Sequence, residues 1–475
     1  MRVALVNPNR LRPPIAPIAL EFLAQALLDA GHEPHVVDLC FATDPQGELG
    51  AALGDGGHGL VAITIRNTDD CFMASGESFL PEYVDLVAAA REATQAPVVL
   101  GGAGFSATPT GLVRATGADY GVVGDGEGAL VMLAAALESG CAPTCRDGLI
   151  GRDARGPRAA LAACPRYAEE GPLRWAFVDV ERYFREGGQA GLETKRGCPM
   201  TCIYCADPLS KGTALRLRPP PVVADEMGAL AARGVDHFHL CDSEVNVPTS
   251  HLAAVCEEII ARGFGESVRW YGYATVAGFD RELAELAVRS GCAGINFGAD
   301  SGDAGMLRRL GRSYGPEDIL TAVAACKSAG LAVMLDLLLG GPGETRESIA
   351  RTIGLVKHAA PTCAGVSFGL RIYAGTELAA LVRRAGPLEA TAAARGAVRD
   401  NDDLARPVYY VEPGLGDDAE RFIAESIAGD KRFFFGGQVE AEADYNYNNN
   451  ALLEQAIAAG ARGAYWHILA RLRGT

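Results

Sequence analysis

The chain has 475 residues, 49% of them hydrophobic, and a formal net charge of −16. That is enough for two or three domains with a sizeable core, and a mean hydropathy near zero suits a compact soluble protein. The acidic balance, without any Lys/Arg-rich run, argues against nucleic acid or an anionic membrane as partner, and no window approaches the ~18 consecutive apolar residues of a membrane span.

The first apolar run, "RVALVNP", breaks into Pro and Arg where a signal peptide needs a small-residue cleavage site, so a cytoplasmic location is expected. Residues 1–140 alternate short apolar strands ("HVVDL", "LVAITI", "APVVLGG", "DYGVVGDGEG") with helical segments such as "APIALEFLAQALLDAG". Such alternation predicts a parallel sheet covered on both faces, with ligands bound beyond the carboxyl ends of its strands. The residues placed there are Asn7, Arg66, Asn67, Gly101, Gly102, Gly104, Gly124, Gly126 and Glu127. Glycine at so many strand ends lets backbone approach a large ligand, or simply serves tight turns.

Residues 141–177, rich in Ala, Arg, Gly and Pro, read as a linker. From 178 to 385 a second strand–helix alternation recurs, with Pro316 and Gly330 bracketing one helix. It predicts a (β/α)6-type partial barrel whose site lies at the C-terminal ends of the strands. Residues 386–475 collect aromatics and amides ("RPVYYVEP", "KRFFFGG", "ADYNYNNN") and are expected to form a small cap domain; Trp466 and His467 on its last helix read as structural.

Of thirteen cysteines most stand alone in apolar segments, as buried thiols of a reducing compartment do. Cys141, Cys145 and Cys164 form a loose group whose use as a metal site is the minor reading. Only Cys198, Cys202 and Cys205 are dense, and they follow the first strand of the barrel region. Three thiolates at C-x3-C-x2-C spacing can hold three irons of a [4Fe–4S] cube and leave the fourth open. Zinc is the competing reading; it would need a fourth ligand, and His237 and His239 are nearest in sequence. No cysteine follows Cys363, so a second, C-terminal cluster is not expected.

The cysteine motif, with Tyr204 before its last member, resembles the signature of the radical S-adenosylmethionine (SAM) enzymes. Further segments are similar in order. Asp242-Ser243-Glu244 stands where that family has Gly-Gly-Glu for the SAM amino group. Asp300, followed by Ser301, stands where relatives have a glutamate facing the ribose and methionine. "LLLGGPGET", with Leu339, Gly341 and Glu344, resembles the strand and turn that pack on adenine. The resemblance implies that SAM binds the open iron and that one electron from the cluster cleaves a carbon–sulfur bond.

The α/β domain ahead of the barrel looks like the cobalamin-binding domain of the B12-dependent subgroup. The Asp-x-His-x-x-Gly motif that supplies a histidine to cobalt is absent, as in that subgroup generally, so the lower face of cobalt must be free or shielded. Arg66 is a candidate neighbour of that face; a salt bridge to Asp69 or Asp70 is its alternative. The fold class implied is α/β: a doubly wound, Rossmann-like cobalamin-binding domain (1–140), a linker (141–177), a radical SAM partial barrel (178–385) and a C-terminal substrate or cap domain (386–475). The reaction implied is methylation of an unactivated carbon of a small molecule. Rearrangement, or 3-amino-3-carboxypropyl transfer with methylthioadenosine as product, is the alternative. A flavodoxin or ferredoxin would supply electrons. Lys195 and Arg196 would tune the cluster or anchor its loop, and Tyr373, Tyr445 and Asn446 are candidate substrate contacts.

Overall fold

The computed structural model describes residues 1–54, 56–154, 160–164, 167–169, 171–436 and 446–475. Its first sheet comprises β1 (Arg2–Asn7), β2 (Glu33–Asp38), β3 (His58–Thr64), β4 (Val98–Gly101), β5 (Tyr120–Val122) and β6 (Leu149–Gly151), in the order β2-β1-β3-β4-β5-β6. The first five are parallel and the expected strands are all present. Strand order reverses between β1 and β3, which opens a crevice at their carboxyl ends.

The segment 141–177 is not a free linker. β6 pairs antiparallel with β5, Ala162 bridges Gly124, and Cys164, Tyr167, Leu173 and Trp175 are buried in the core that runs on into the second sheet. A three-residue strand has no periodicity to read, so only pairing with β5 reveals it.

The second sheet is an open arc of seven parallel strands in sequential order: β7 (Ala190–Leu192), β8 (His237–Leu240), β9 (Arg269–Ala274), β10 (Cys292–Asp300), β11 (Ala332–Leu339), β12 (Cys363–Phe368) and β13 (Phe433–Phe435). Alternation along the strands sorts side chains between two faces. Phe238, Trp270, Ile295 and Leu335 face the outer helices, whereas Tyr271 and Met334 face the lumen. The helices between strands are locally specified. Asp280 accepts from Leu283 N, Thr345 and Ser348 form a capping box, and Gly330 closes the helix Pro316–Ala329 in the left-handed region.

Residues 386–475 do not form a separate cap. β13 extends the barrel sheet beside β12, and the helix Tyr465–Arg473 packs Trp466, Ile468 and Leu469 on Tyr271, Met334 and Phe434, closing one end of the lumen. A small antiparallel sheet of Leu370–Arg371, Val408–Tyr410 and Ala394–Gly396 sits at the other end. Nothing in the composition of "KRFFFGG" separates an edge strand of the barrel from a strand of its own domain.

Buried polar contacts tie segment 141–177 to the barrel region. Arg218 and Glu226, both fully buried, are 2.6 Å apart, and Glu226 also accepts from Leu173 N and Trp175 Nε1. Glu226→Ala leaves the Arg218 charge unpaired, and a loss of about 3–5 kcal/mol is expected in anaerobic denaturant unfolding.

Candidate active site

The cysteine loop is held from several sides by backbone. Cys198 N donates to Gly212 O, Ile203 N to Leu310 O and Leu378 N to Ile203 O. At Gly311 (φ +82°) a Cβ would lie 2.4 Å from Thr201 O, so only glycine lets this turn approach the loop. Cys198 is buried and Cys202 and Cys205 half-buried; burial pushes the Cys202 thiol up to about 11 and Cys205 higher still. Iron binding would displace those protons. Among the described residues no three His, Cys, Asp or Glu side chains converge as one metal ion requires. Neither histidine near in sequence joins the cysteines in such a group: His237 pairs with Asp236 at 2.7 Å, and His239 stacks edge-on against Tyr273. Three half-enclosed thiols on one loop fit a cube.

The predicted SAM contacts divide in two. Glu244 fits: its Oε2 is buried without a partner, Oε1 lies 3.6 Å from Arg312, and burial raises the carboxyl to about 7. An ammonium group would satisfy it. The other polar side chains already have protein partners in this structure. Asp242 accepts from Thr194 N and Oγ1 and from Lys195 N and Nζ, the last at 2.9 Å. Ser243 donates to Asp207. Asp300 receives Arg312 and the Tyr204 hydroxyl, both tied to the cysteine loop, and Ser301 pairs with Thr352. Leu339 is buried against the outer helices; strand alternation gives Leu338 the side facing Tyr204. Gly341 lies against Leu310, Leu370 and Met306. Glu344 is buried, with Oε2 unpartnered and its carboxyl raised to about 7.

At the carboxyl edge of the first sheet lies a cleft of about 900 Å³ of empty space, counted to the solvent. Leu20, Leu23, Val99, Val122 and Leu130 floor it, and Gly101, Gly102, Gly124, Gly126, Glu127, Arg196 and Lys211 rim it. The apolar floor fits a large planar base, and Glu127 Oε2 is buried without a partner at the rim. The glycines serve the chain itself more than a ligand. At Gly124 (φ +97°) a Cβ would meet Ala162 O at 2.4 Å, while Gly102, Gly104 and Gly126 press on Ile65, Arg66 and Leu23; only Gly101 has room. Asn7 is spent on Asp38 and Tyr183, and the Asn67 carbonyl accepts from Tyr83.

Arg66 is exposed, and its guanidinium makes no hydrogen bond or ion pair with another described residue. The alternative partners are taken: Asp69 by Arg371 at 3.0 Å, Asp70 by Ser75 and Asn446. Its charge acts on His239, Cys241, Tyr273 and Tyr465, so the first sheet's edge faces the lumen. Tyr273 is 38% exposed, yet desolvation pushes its phenol up. Sequence reading missed this lumen layer, although the alternation in "HFHLC" and "RWYGYA" is its signal. Tyr373 bonds Cys71 at 3.0 Å and Asn446 donates to Asp70; Tyr445 lies outside the described residues.

A barrel carrying an open-coordination cysteine loop, preceded by a doubly wound domain, defines a class. The B12 binding domain family matches residues 9–134 and the Radical SAM superfamily residues 192–356. A tryptophan 2-C-methyltransferase of Streptomyces laurentii is 33% identical over 436 residues, covering 78% of this chain and 72% of that one. The radical SAM methyltransferase TsrM of Kitasatospora setae, solved with tryptophan and a SAM analogue, superposes with a TM-score of 0.90 at 30% identity, over 100% of this chain and 98% of that one. OxsB, at 14% identity and a TM-score of 0.70 over 90% of this chain and 66% of that one, shares the fold. The chain belongs to the cobalamin-dependent radical SAM methyltransferases, and its cofactors are a [4Fe–4S] cluster, SAM and cobalamin.

Glu244→Gln removes the charge facing an ammonium, and SAM is expected to bind about 10- to 100-fold more weakly by calorimetry, with iron content unchanged. Glu344 keeps a proton in the fold between about pH 4.5 and 7 that the unfolded chain has lost. Its contribution is therefore full below that window and lost as pH rises through it. Relative to Glu344→Gln, the wild type is expected to lose up to about 3 kcal/mol between pH 4.5 and 8 in apoprotein unfolding.

Proposed function

We propose that this enzyme methylates a carbon of the indole ring of free tryptophan, with SAM as methyl source. The observation that carries the reading is the pair of rings on neighbouring strands of the barrel, Tyr273, 38% exposed, and His239, whose centroids are 5.3 Å apart. The end-to-end likeness to tryptophan-methylating enzymes supports it.

When bound, cobalamin supplies a cobalt centre that accepts and hands on a methyl group, and the cluster supplies electrons and an open iron for SAM. The protein's part is placement and exclusion of water. Cys198, Cys202 and Cys205 would hold the cluster. Glu244 takes the SAM ammonium. Arg66, whose guanidinium has no free lone pair to give, would stand beside bound cobalamin without supplying a ligand. Lys195, bound to Asp242, fixes the start of the loop. A flavodoxin or ferredoxin supplies the electrons, and the half-buried Cys202 and Cys205 mark where the loop comes nearest the surface.

The test is anaerobic reconstitution with iron, sulfide and hydroxocobalamin, then incubation with SAM, L-tryptophan and reductant. About four irons and one cobalt per chain are expected, with singly methylated tryptophan and S-adenosylhomocysteine as products. Methylthioadenosine instead would sink methyl transfer and favour the aminocarboxypropyl reaction. Methyl transfer that spares tryptophan would remove the substrate and keep the enzyme class.

A further inference from the structure

Directly after the last cysteine runs the short helix Asp207–Lys211. At its start, Asp207 N donates to Cys205 Sγ at 3.5 Å. At its end, Ser210 and Lys211 line the cleft at the carboxyl edge of the first sheet, and the next residue, Gly212, accepts from Cys198 N. The helix is thus fastened to the first and last cysteines of the loop while it borders the space that fits cobalamin.

Its two charged side chains meet on Ser243, the residue before Glu244. Ser243 Oγ donates to Asp207 Oδ2 at 2.5 Å. Lys211 Nζ donates to the same carboxylate oxygen at 3.2 Å and to Ser243 Oγ at 3.3 Å, so the three groups close a ring. The radical SAM motif has glycine at the position of Ser243, and glycine carries no hydroxyl, so the ring belongs to this chain's Asp-Ser-Glu. The ring is not packed shut. The Lys211 side chain is 27% exposed and that of Asp207 36%, and Lys211 borders the cleft.

We propose that Lys211, Asp207 and Ser243 are positioning residues that couple the cobalamin cleft to the SAM site, so that SAM binds more tightly when the cleft is filled. With the cleft filled, the Lys211 ammonium loses water, and bonds to a charged donor strengthen as their surroundings lose water. Ser243 is then held more firmly, and with it Glu244, one peptide bond away. The coupling is reciprocal: SAM strengthens cobalamin binding by the same factor. An enzyme built this way binds SAM well only where the group that receives its methyl is already present. The proposal rests on the reading of Glu244 as the group that faces the SAM ammonium.

The full chain is loaded anaerobically with the cluster, with and without hydroxocobalamin, and titrated calorimetrically with SAM in the absence of reductant. The wild type is expected to bind SAM about five- to tenfold more tightly with hydroxocobalamin than without it. Lys211→Met keeps the aliphatic stem and loses the ammonium; Ser243→Ala changes a position outside the cleft lining. In both, that factor is expected to fall below about twofold, with about four irons per chain retained. Because the factor compares two states of one variant, a uniform weakening of SAM binding through damage to the loop leaves it unmoved. Equal SAM affinity of the wild type in the two states overturns the coupling, and a factor that persists in either variant overturns the ring as its route. If Lys211→Met takes up no cluster, Ser243→Ala and the wild type decide. The ammonium reading fails separately, if Glu244→Gln without cobalamin binds SAM as tightly as the wild type.

Discussion

Chemistry that passes a group between two cofactors on two different domains requires those domains to be held in one register, and Arg196 is where this chain does it. The side chain stands two residues before Cys198. It reaches Glu127 at 2.7 Å and Asp125 at 3.5 Å in the first domain, and Glu193 at 2.9 Å in its own. Its guanidinium also lies over Tyr167 and Phe22, 4.2 and 4.6 Å from their centroids. A nearly buried cation among three carboxylates cannot slide without stranding charge in a low-dielectric interior. The same residue thus anchors the cysteine loop and walls the cleft at the edge of the cobalamin-binding sheet.

The rest of the architecture follows from that junction. The helix Ala103–Ala107 of the first domain packs on Asp207–Lys211, directly after the last cysteine. Segment 141–177 contributes Tyr167 and Trp175 to one continuous core, so the domains are fused, not tethered. Asp69 with Arg371 and Asp70 with Asn446 add further ties from the first domain to the later part of the chain. The terminal helix fills one end of the lumen with Trp466.

Much of this was legible in the sequence because it is local. Cysteine spacing is a property of one loop, and strand–helix alternation is a property of short windows, so the cluster, the two α/β units and Glu244 could be placed without coordinates. The side chains of Asp242, Asp300, Ser301 and Asn7 could not. Each sits at a position where a ligand contact is plausible, and each is bound by a partner distant in sequence: Thr194 and Lys195, Arg312, Thr352, Tyr183. A one-residue shift separates Leu339 from Leu338, and a sheet's two-residue period turns that shift into the opposite face.

By itself, then, the sequence determined the class of chemistry, the order of the two α/β units and the residues that grip the cluster, since each depends on residue type and spacing within a few turns of chain. Tertiary structure decided which polar groups are already satisfied and which are left open. Glu244 differs from Ser301 and Asp242 in that respect alone, and hydrogen-bond satisfaction is a sum over neighbours that chain order does not reveal. It also decided that Phe433–Phe435 extend the barrel sheet, because strand pairing depends on a partner distant in sequence.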